Sequence, residues 1–261
     1  MSKPLSVSQI QDYTKCGLSY KLARIDKVPQ LTAAWFVQGS AVHKAIEAYE
    51  RSHRQMSLKD VEQTFYGAWE SEVTKKLEDH PEESDWIPSG KRKRSTDLRV
   101  RREQGLDQVR GYILANPQDS DIRPTELVPG EPAVEVGFEL DLEGVTVKGY
   151  VDAIMEERST GRLFPEDWKT GRKTPAGNYQ LATYKIAIES LTGQQVEYGR
   201  YWMCRDNRPL VVDLRRFQRE DVADWYHQLT RGIEQKIFLP NPSEDNCHTC
   251  LVKRHCREVT Q

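Results

Sequence analysis

Two aspartates and a lysine in the second half of the chain have the residue types and spacing that hydrolysis of a phosphate ester would need. Asp152 stands in GYVDAI, and Asp167 with Lys169 in PEDWKTG. Side chains two apart on a β-strand share a face, so Asp167 and Lys169 would point together, and Asp152 could join them from a neighbouring strand. Two carboxylates beside an ammonium suit Mg²⁺ or Mn²⁺, hard cations that take oxygen ligands. Such a cation lowers the pKa of water and stabilises charge on a phosphoryl oxygen, while the lysine positions the nucleophile or neutralises the transition state. Glu166 competes with Asp167, but its odd offset from Lys169 turns it to the other face. A bare DxK triplet is also ordinary charge at an exposed sheet end, so the weight rests on the combination.

Cysteines form a second set. Cys247, Cys250 and Cys256 crowd into CHTCLVKRHC near one end of the chain, and Cys16 stands near the other. Four thiolates of this kind make a metal site, and using it would staple the first helix to the tail. Disulfides suit the set poorly, because five cysteines are an odd count and no apolar leader follows Met1; both point to a reducing, cytoplasmic setting. Tetrahedral zinc, with His248 or His255 as extra donors, and an iron-sulfur cluster fit the motif equally well. Cys204, inside the apolar YWMC, reads as a buried free thiol.

The 261 residues could form one large domain or two small ones, and 37% hydrophobic content is enough for a real core. A mean hydropathy of -0.74, with no apolar run near the roughly twenty residues of a membrane span, excludes a membrane helix. The net charge of -2 conceals a basic run, KRKRSTDLRVRR, led by Lys91, Arg92, Lys93 and Arg94. That run could neutralise several phosphates, although by itself it reads first as a solvated loop feeding a helix. No GxxxxGK followed by Ser or Thr occurs, so no ATP-driven motor is expected.

Elements that would position these groups follow from periodicity. A helix is predicted over Ser6 to Arg24, carrying Cys16, another beginning in GSAVHKAIEAYE, and two more over Leu58 to Leu77 and Leu98 to Leu114. Asp79 to Gly90 reads as a polar loop between them. Ala133 to Leu142 alternates apolar and polar residues and turns at Glu143-Gly144 into Val145 to Met155, which is a β-hairpin. A third strand runs from Arg162 to Lys169, and Pro165 within it predicts a sheet edge or a bulge. A helix from Asn178 to Leu191 sets Gln180 and Tyr184 four apart. Two strands, YGRYWMC and PLVVDLRR, precede a last helix over Asp221 to Ile237 and a linker with Pro240 and Pro242.

Taken in order, SVSQIQDYTKC, GSAVH, GYVDAI, DWKTG, YQLATY and CHTCLVKRHC resemble the RecB-like branch of the PD-(D/E)XK nuclease superfamily, which includes Cas-four-type and AddB-type exonucleases. The resemblance spans nearly the whole chain. It implies an α/β fold with a restriction-endonuclease-like mixed central sheet flanked by helices and an N-terminal helical region. One domain would cover 1–261, with a helical insertion at 44–125, the nuclease core at 126–237 and an iron-sulfur lobe at 238–261 completed by Cys16.

The same resemblance implies that His43, Asp152, Asp167 and the Trp168 carbonyl bind Mg²⁺ or Mn²⁺, and that Lys169 assists the attacking water. Gln180 and Tyr184 would contact DNA, and Cys16, Cys247, Cys250 and Cys256 would hold a 4Fe-4S cluster. Without it, His43 would read as a satisfied helix histidine. The implied activity is metal-dependent exonucleolytic hydrolysis of DNA at single-stranded ends. Lys91 to Arg102 would line the strand's path, and recombination or CRISPR adaptation proteins are the implied partners. Two alternatives stand beside it: a DNA-end-binding subunit with weak or no cleavage, and a zinc-stabilised adaptor without catalysis. Tyr13 or Trp35 could stack bases, although core packing accounts better for each of them.

Overall fold

The computed structural model describes residues 3–175 and 177–258. In chain order, β1 (Leu5–Ser6) leads into α1 (Val7–Lys15) and the short α2 (Gly17–Tyr20). Three long helices follow: α3 (Ala34–Arg51), α4 (Leu58–Asp79) and α5 (Arg94–Ala115). Next come β2 (Ile122–Pro124), a small hairpin of β3 (Glu126–Val128) and β4 (Glu131–Pro132), then β5 (Val134–Leu142), β6 (Val145–Glu157) and β7 (Arg162–Lys169). The chain ends with α6 (Tyr179–Thr192), β8 (Tyr198–Met203), β9 (Arg208–Asp213), α7 (Arg219–Glu234) and the one-turn α8 (Glu244–His248).

Thirteen-residue β6 is the spine of a seven-stranded mixed sheet. One of its edges pairs with β5 and then β2, both antiparallel; the other pairs with β1 in parallel and β7 antiparallel. Parallel β8 extends the sheet from β7, and antiparallel β9 closes it. The period of two along each strand feeds a separate core on each face. Tyr201 and Met203 of β8 pack with α1, α6 and α7, while Trp202 and the following Cys204 pack with α3, α4 and α5. Cys204 is fully buried, and burial pushes its thiol pKa well up.

Both strands of the long hairpin change face at one place. Val136, Phe138, Leu140 and Val151 belong to the α6/α7 side, whereas Val134, Ala153 and Met155 belong to the α3/α5 side. The switch falls at Glu135 and Asp152, which lie between the paired positions Val134↔Ala153 and Val136↔Val151. Glu135 adopts φ 51°, the left-handed region, at a cost of about 1–3 kcal/mol for a residue with a side chain.

Three expectations are corrected. Pro165 sits in an interior strand, opposite Ile154 of β6, and carries neither an edge nor a register shift. The parallel ladder with β8 begins one residue later, at Glu166↔Arg200, so the missing N–H is not needed there. Helix α3 starts at Ala34, ahead of GSAVH, because Val37 already belongs to its buried stripe with Ala41, Val42 and Ala45. The helix predicted over Ser6 to Arg24 breaks at Cys16, whose φ of -165° and ψ of 108° are extended. The break lets the tail approach: a Cβ on Gly17 would stand 2.9 Å from the Leu239 nitrogen, and Leu18 N–H donates to the Leu239 carbonyl at 3.3 Å.

The same tail also fastens to two loops. Leu31 N–H donates to the Leu251 carbonyl at 2.8 Å, and Arg254 pairs with Asp85 at 3.0 Å. Ile87 joins Leu31 and Ala33 in a small core under Trp35 and Leu251, so the loop ahead of the basic run is anchored to the tail.

Candidate active site

Strand β7 delivers two sets of side chains to opposite faces. Asp167, 1% exposed, meets Lys169, whose Nζ lies 2.5 Å from Asp167 Oδ2. That approach is off the hydrogen-bonding direction and leaves Asp167 Oδ2 buried without a hydrogen-bond partner. The Lys169 ammonium donates instead to Gln180 Oε1 at 2.8 Å and lies 5.4 Å from the Tyr201 ring centroid. Gln180 in turn donates to the Tyr184 hydroxyl at 2.9 Å. Tyr184 is 4% exposed, so it stands behind the lysine and not at a DNA surface as expected. Burial pushes its phenol well up, and the hydroxyl stays neutral.

Trp168, between Asp167 and Lys169, organises the rest through its backbone. Its N–H donates to Asp152 Oδ2 at 2.9 Å, and its carbonyl lies 2.7 Å from His43 Nε2 on α3. A carbonyl only accepts, so Nε2 carries the proton and Nδ1 is left bare, 3.5 Å from Asp152 Oδ2. Beyond β7, Gln108 of α5 donates to the Thr170 carbonyl at 2.9 Å and fixes the exit from the strand.

Glu135 completes the cluster. One ligand atom each from His43, Glu135 and Asp152 lies within 4.8 Å of the others, and no other residues do so among those described. Burial and the neighbouring Asp167 hold the Asp152 carboxyl well above its ordinary range, burial raises that of Glu135, and burial lowers the His43 imidazole. Crowded, desolvated carboxyls facing a neutral imidazole nitrogen and a buried carboxylate oxygen that accepts no hydrogen bond are the donor set of a hard divalent cation. The residues present fit such an ion.

Sequence reasoning passed over Glu135, although a signal existed. The two-residue turn at Glu143-Gly144 fixes the hairpin register, Leu142 opposite Val145, and counting back puts Glu135 opposite Asp152. Glu166 faces the other way. It is fully buried, accepts from Tyr112 at 3.3 Å and from Trp168 Nε1 at 3.0 Å, and pairs with Arg200.

A cleft of about 1300 Å³ opens in front of His43 and Glu135 and brings Lys91 and Arg92 to its rim. Arg172, not singled out from sequence, also lines it. Lys93 stands exposed just ahead of α5, and Arg94 turns back, donating to the Pro81 carbonyl at 2.7 Å with its guanidinium 5.7 Å from the Trp86 ring centroid. Cys16, Cys247, Cys250 and Cys256 all line a second cavity of about 290 Å³ between α2 and the tail, which shares Phe36 and Thr249 with the cleft.

A family model describing the PD-(D/E)XK nuclease superfamily matches residues 4–257. The chain belongs to that superfamily. Two curated proteins with similar sequence are Gene 69 proteins: one from Mycobacterium phage D29, 34% identical over 96% of this chain and 95% of its own length, and one from Mycobacterium phage L5, 30% identical over the same shares. Among solved structures, the crystal structure of SSO0001 aligns over 97% of this chain and 96% of its own, with 14% identity and a TM-score of 0.35. For this member of the superfamily, no described helix is long and apolar enough to cross a membrane.

The raised carboxyls fix a pH dependence for the metal-free nuclease fold. Asp152 and Glu135 hold protons more tightly folded than unfolded, so the stability they contribute is full below about pH 4 and is lost as pH rises through their folded values. Metal-free Asp152→Asn is therefore expected to melt above wild type at pH 8, with the gap closing toward pH 4. Adding Mg²⁺ should reverse the order, because the cation binds the deprotonated carboxylate. Calorimetry in EDTA and in Mg²⁺ checks both, and a gap independent of pH would refute the assignment of strain to these groups.

Proposed function

We propose that the chain is a divalent-metal-dependent deoxyribonuclease of the RecB-like branch, acting as an exonuclease on single-stranded DNA ends. The carrying observation is the His43, Glu135 and Asp152 cluster beside the Asp167–Lys169 pair, at the head of an open cleft. Asp152, Glu135, Asp167 and the bare His43 nitrogen would hold Mg²⁺ or Mn²⁺, with the Trp168 carbonyl adjacent. The bound ion would supply Lewis acidity to a phosphoryl oxygen and make water more acidic. Lys169, held by Gln180, aims a cation at the place where negative charge develops on the scissile phosphate. Trp168 N–H keeps the Asp152 carboxylate in place and excludes rotation away from the site. The end-binding alternative has no use for this set of buried, strained and mutually repelling groups.

End-labelled single- and double-stranded DNA, incubated with Mg²⁺, Mn²⁺ or EDTA, tests the reading. Stepwise shortening of the single strand with either metal and none in EDTA is expected. Absence of metal-stimulated product from both DNAs would overturn it and favour the end-binding reading.

A 4Fe-4S cluster on Cys16, Cys247, Cys250 and Cys256 belongs to the same proposal. Its support is that all four line one cavity, Asn241 N–H donating to Cys16 Sγ at 3.4 Å and Ser19 Oγ lying 3.5 Å from Cys250 Sγ. Anaerobically purified protein should be brown, with iron and sulfide in about equal amounts. Cys204→Ser should stay brown and Cys16→Ser turn colourless; stoichiometric zinc without sulfide would sink the cluster and leave the nuclease centre to its own assay.

A further inference from the structure

The cleft in front of the acidic cluster carries a wall that hydrolysis itself does not need. Phe36, at the start of α3, is 40% exposed and lines both this cleft and the cavity of the four cysteines, its ring centroid 5.8 Å from that of Trp35 at a 48° tilt. An aromatic face left wet in a concavity is a standing hydrophobic cost that a flat ligand can recover. Trp35 is fixed from behind by Leu31, Ala33, Ile87 and Leu251, and the Arg101 guanidinium lies 5.9 Å from its ring centroid.

The cations around these rings divide into two kinds. Arg101 is occupied by Asp97, Gln38 and Ser89, and Lys44 by Glu47. Lys91 and Arg172 make no ion pair or hydrogen bond among the described residues, and Arg92 has only a 3.8 Å approach to Asp97. Uncommitted cations beside an open aromatic pair are the two elements of a polynucleotide groove: phosphates take the charge and bases take the rings. In a duplex, base faces are covered by neighbouring pairs, so the open ring selects unpaired bases.

We propose that the cleft is a strand-binding subsite. Unpaired nucleobases stack on Phe36 and Trp35 while Arg172, Lys91 and Arg92 hold the backbone phosphates, and the strand is delivered to His43, Glu135 and Asp152. His248 and Thr249, from the cysteine-bearing tail, close the far side. This subsite rests on the nuclease reading for the fate of the strand, but its binding is measurable without cleavage.

The test uses the full chain in EDTA, with a fluorescein-labelled oligonucleotide for anisotropy and a 2-aminopurine strand whose emission falls on stacking. Phe36→Ala should weaken single-strand binding about tenfold and relieve the quench without changing the salt slope. Arg172→Glu should lower that slope by about 0.7 and leave the quench of the bound strand intact. A blunt duplex of the same sequence should compete poorly. Both side chains are solvent-accessible, so unchanged melting confirms that the variants fold. Wild-type affinity in both variants, a full quench in Phe36→Ala, or equal affinity for the duplex would each overturn the subsite. Wild-type protein that binds and quenches as described but never cleaves with Mg²⁺ would support the subsite while sinking the nuclease reading.

Discussion

Lys169→Ala is expected to lose metal-dependent DNA cleavage by about 10³-fold or more, the scale on which removal of one preorganised group at developing charge is felt. The lysine side chain is 26% exposed, so its removal opens no cavity in the buried core. Binding of a single strand in EDTA should survive, since the proposed phosphate contacts lie elsewhere. A stability cost does appear: Asp167 is left buried without its cation. The double variant Lys169→Ala/Asp167→Asn should recover that stability but not the activity, and Asp167→Asn alone should be equally inactive. The cycle thus separates a fold effect from a chemical one. Turnover near that of wild type in either single variant, at saturating Mg²⁺, would remove Lys169 and Asp167 from the reaction.

Glu166→Ala is expected to cost about 3–5 kcal/mol, the usual penalty for stranding a buried charge. In a chain of this size that lowers the melting temperature by about 10 °C. Glu166 is the hub of a buried network: it pairs with Arg200 and accepts from Tyr112 and the Trp168 indole, while Tyr112 donates at 2.6 Å to Glu50, itself paired at 2.7 Å with Arg54. Desolvation raises the Glu50 carboxyl against the pull of Arg54, so the network is costly wherever a partner is missing. Glu166→Met/Arg200→Met, which removes both charges, should recover much of the loss. Because Glu166 anchors the Trp168 indole, whose backbone holds Asp152 and contacts His43, the single variant should also bind Mg²⁺ more weakly by calorimetry. A melting temperature within a degree of wild type would show that the network contributes nothing.

What could be read from the chain divides by range. Strand β7, the hairpin and α6 came from local periodicity, and the Asp167–Lys169 face followed from an offset of two. Glu166 could be read as turning away, but not its partners, since Tyr112 and Arg200 meet it only through the packing of α5 and β8. The break at Cys16 had no local warning, because the extended backbone there is set by a tail that crosses it from more than two hundred residues away. Pro165 gave a true local signal with the wrong tertiary meaning, as β8 starts its pairing just beyond it. Glu135 was hidden for a different reason: alternation marked it as one polar position among several, and its left-handed turn is invisible to a period of two.

The face switch at Glu135 and Asp152 makes the hairpin a measuring device. The two acids meet because equal lengths of chain run back from the Glu143-Gly144 turn along each arm. Replacing any one residue in those arms leaves the measurement intact, whereas inserting or deleting a single residue in one arm slides Glu135 past Asp152 and turns the apolar positions beyond the slip to the wrong side. Heritable change at the solvent-facing positions of this stretch is therefore free in spelling while the whole stretch is locked in length, and a shuffled or recombined gene could exchange the hairpin only as a whole.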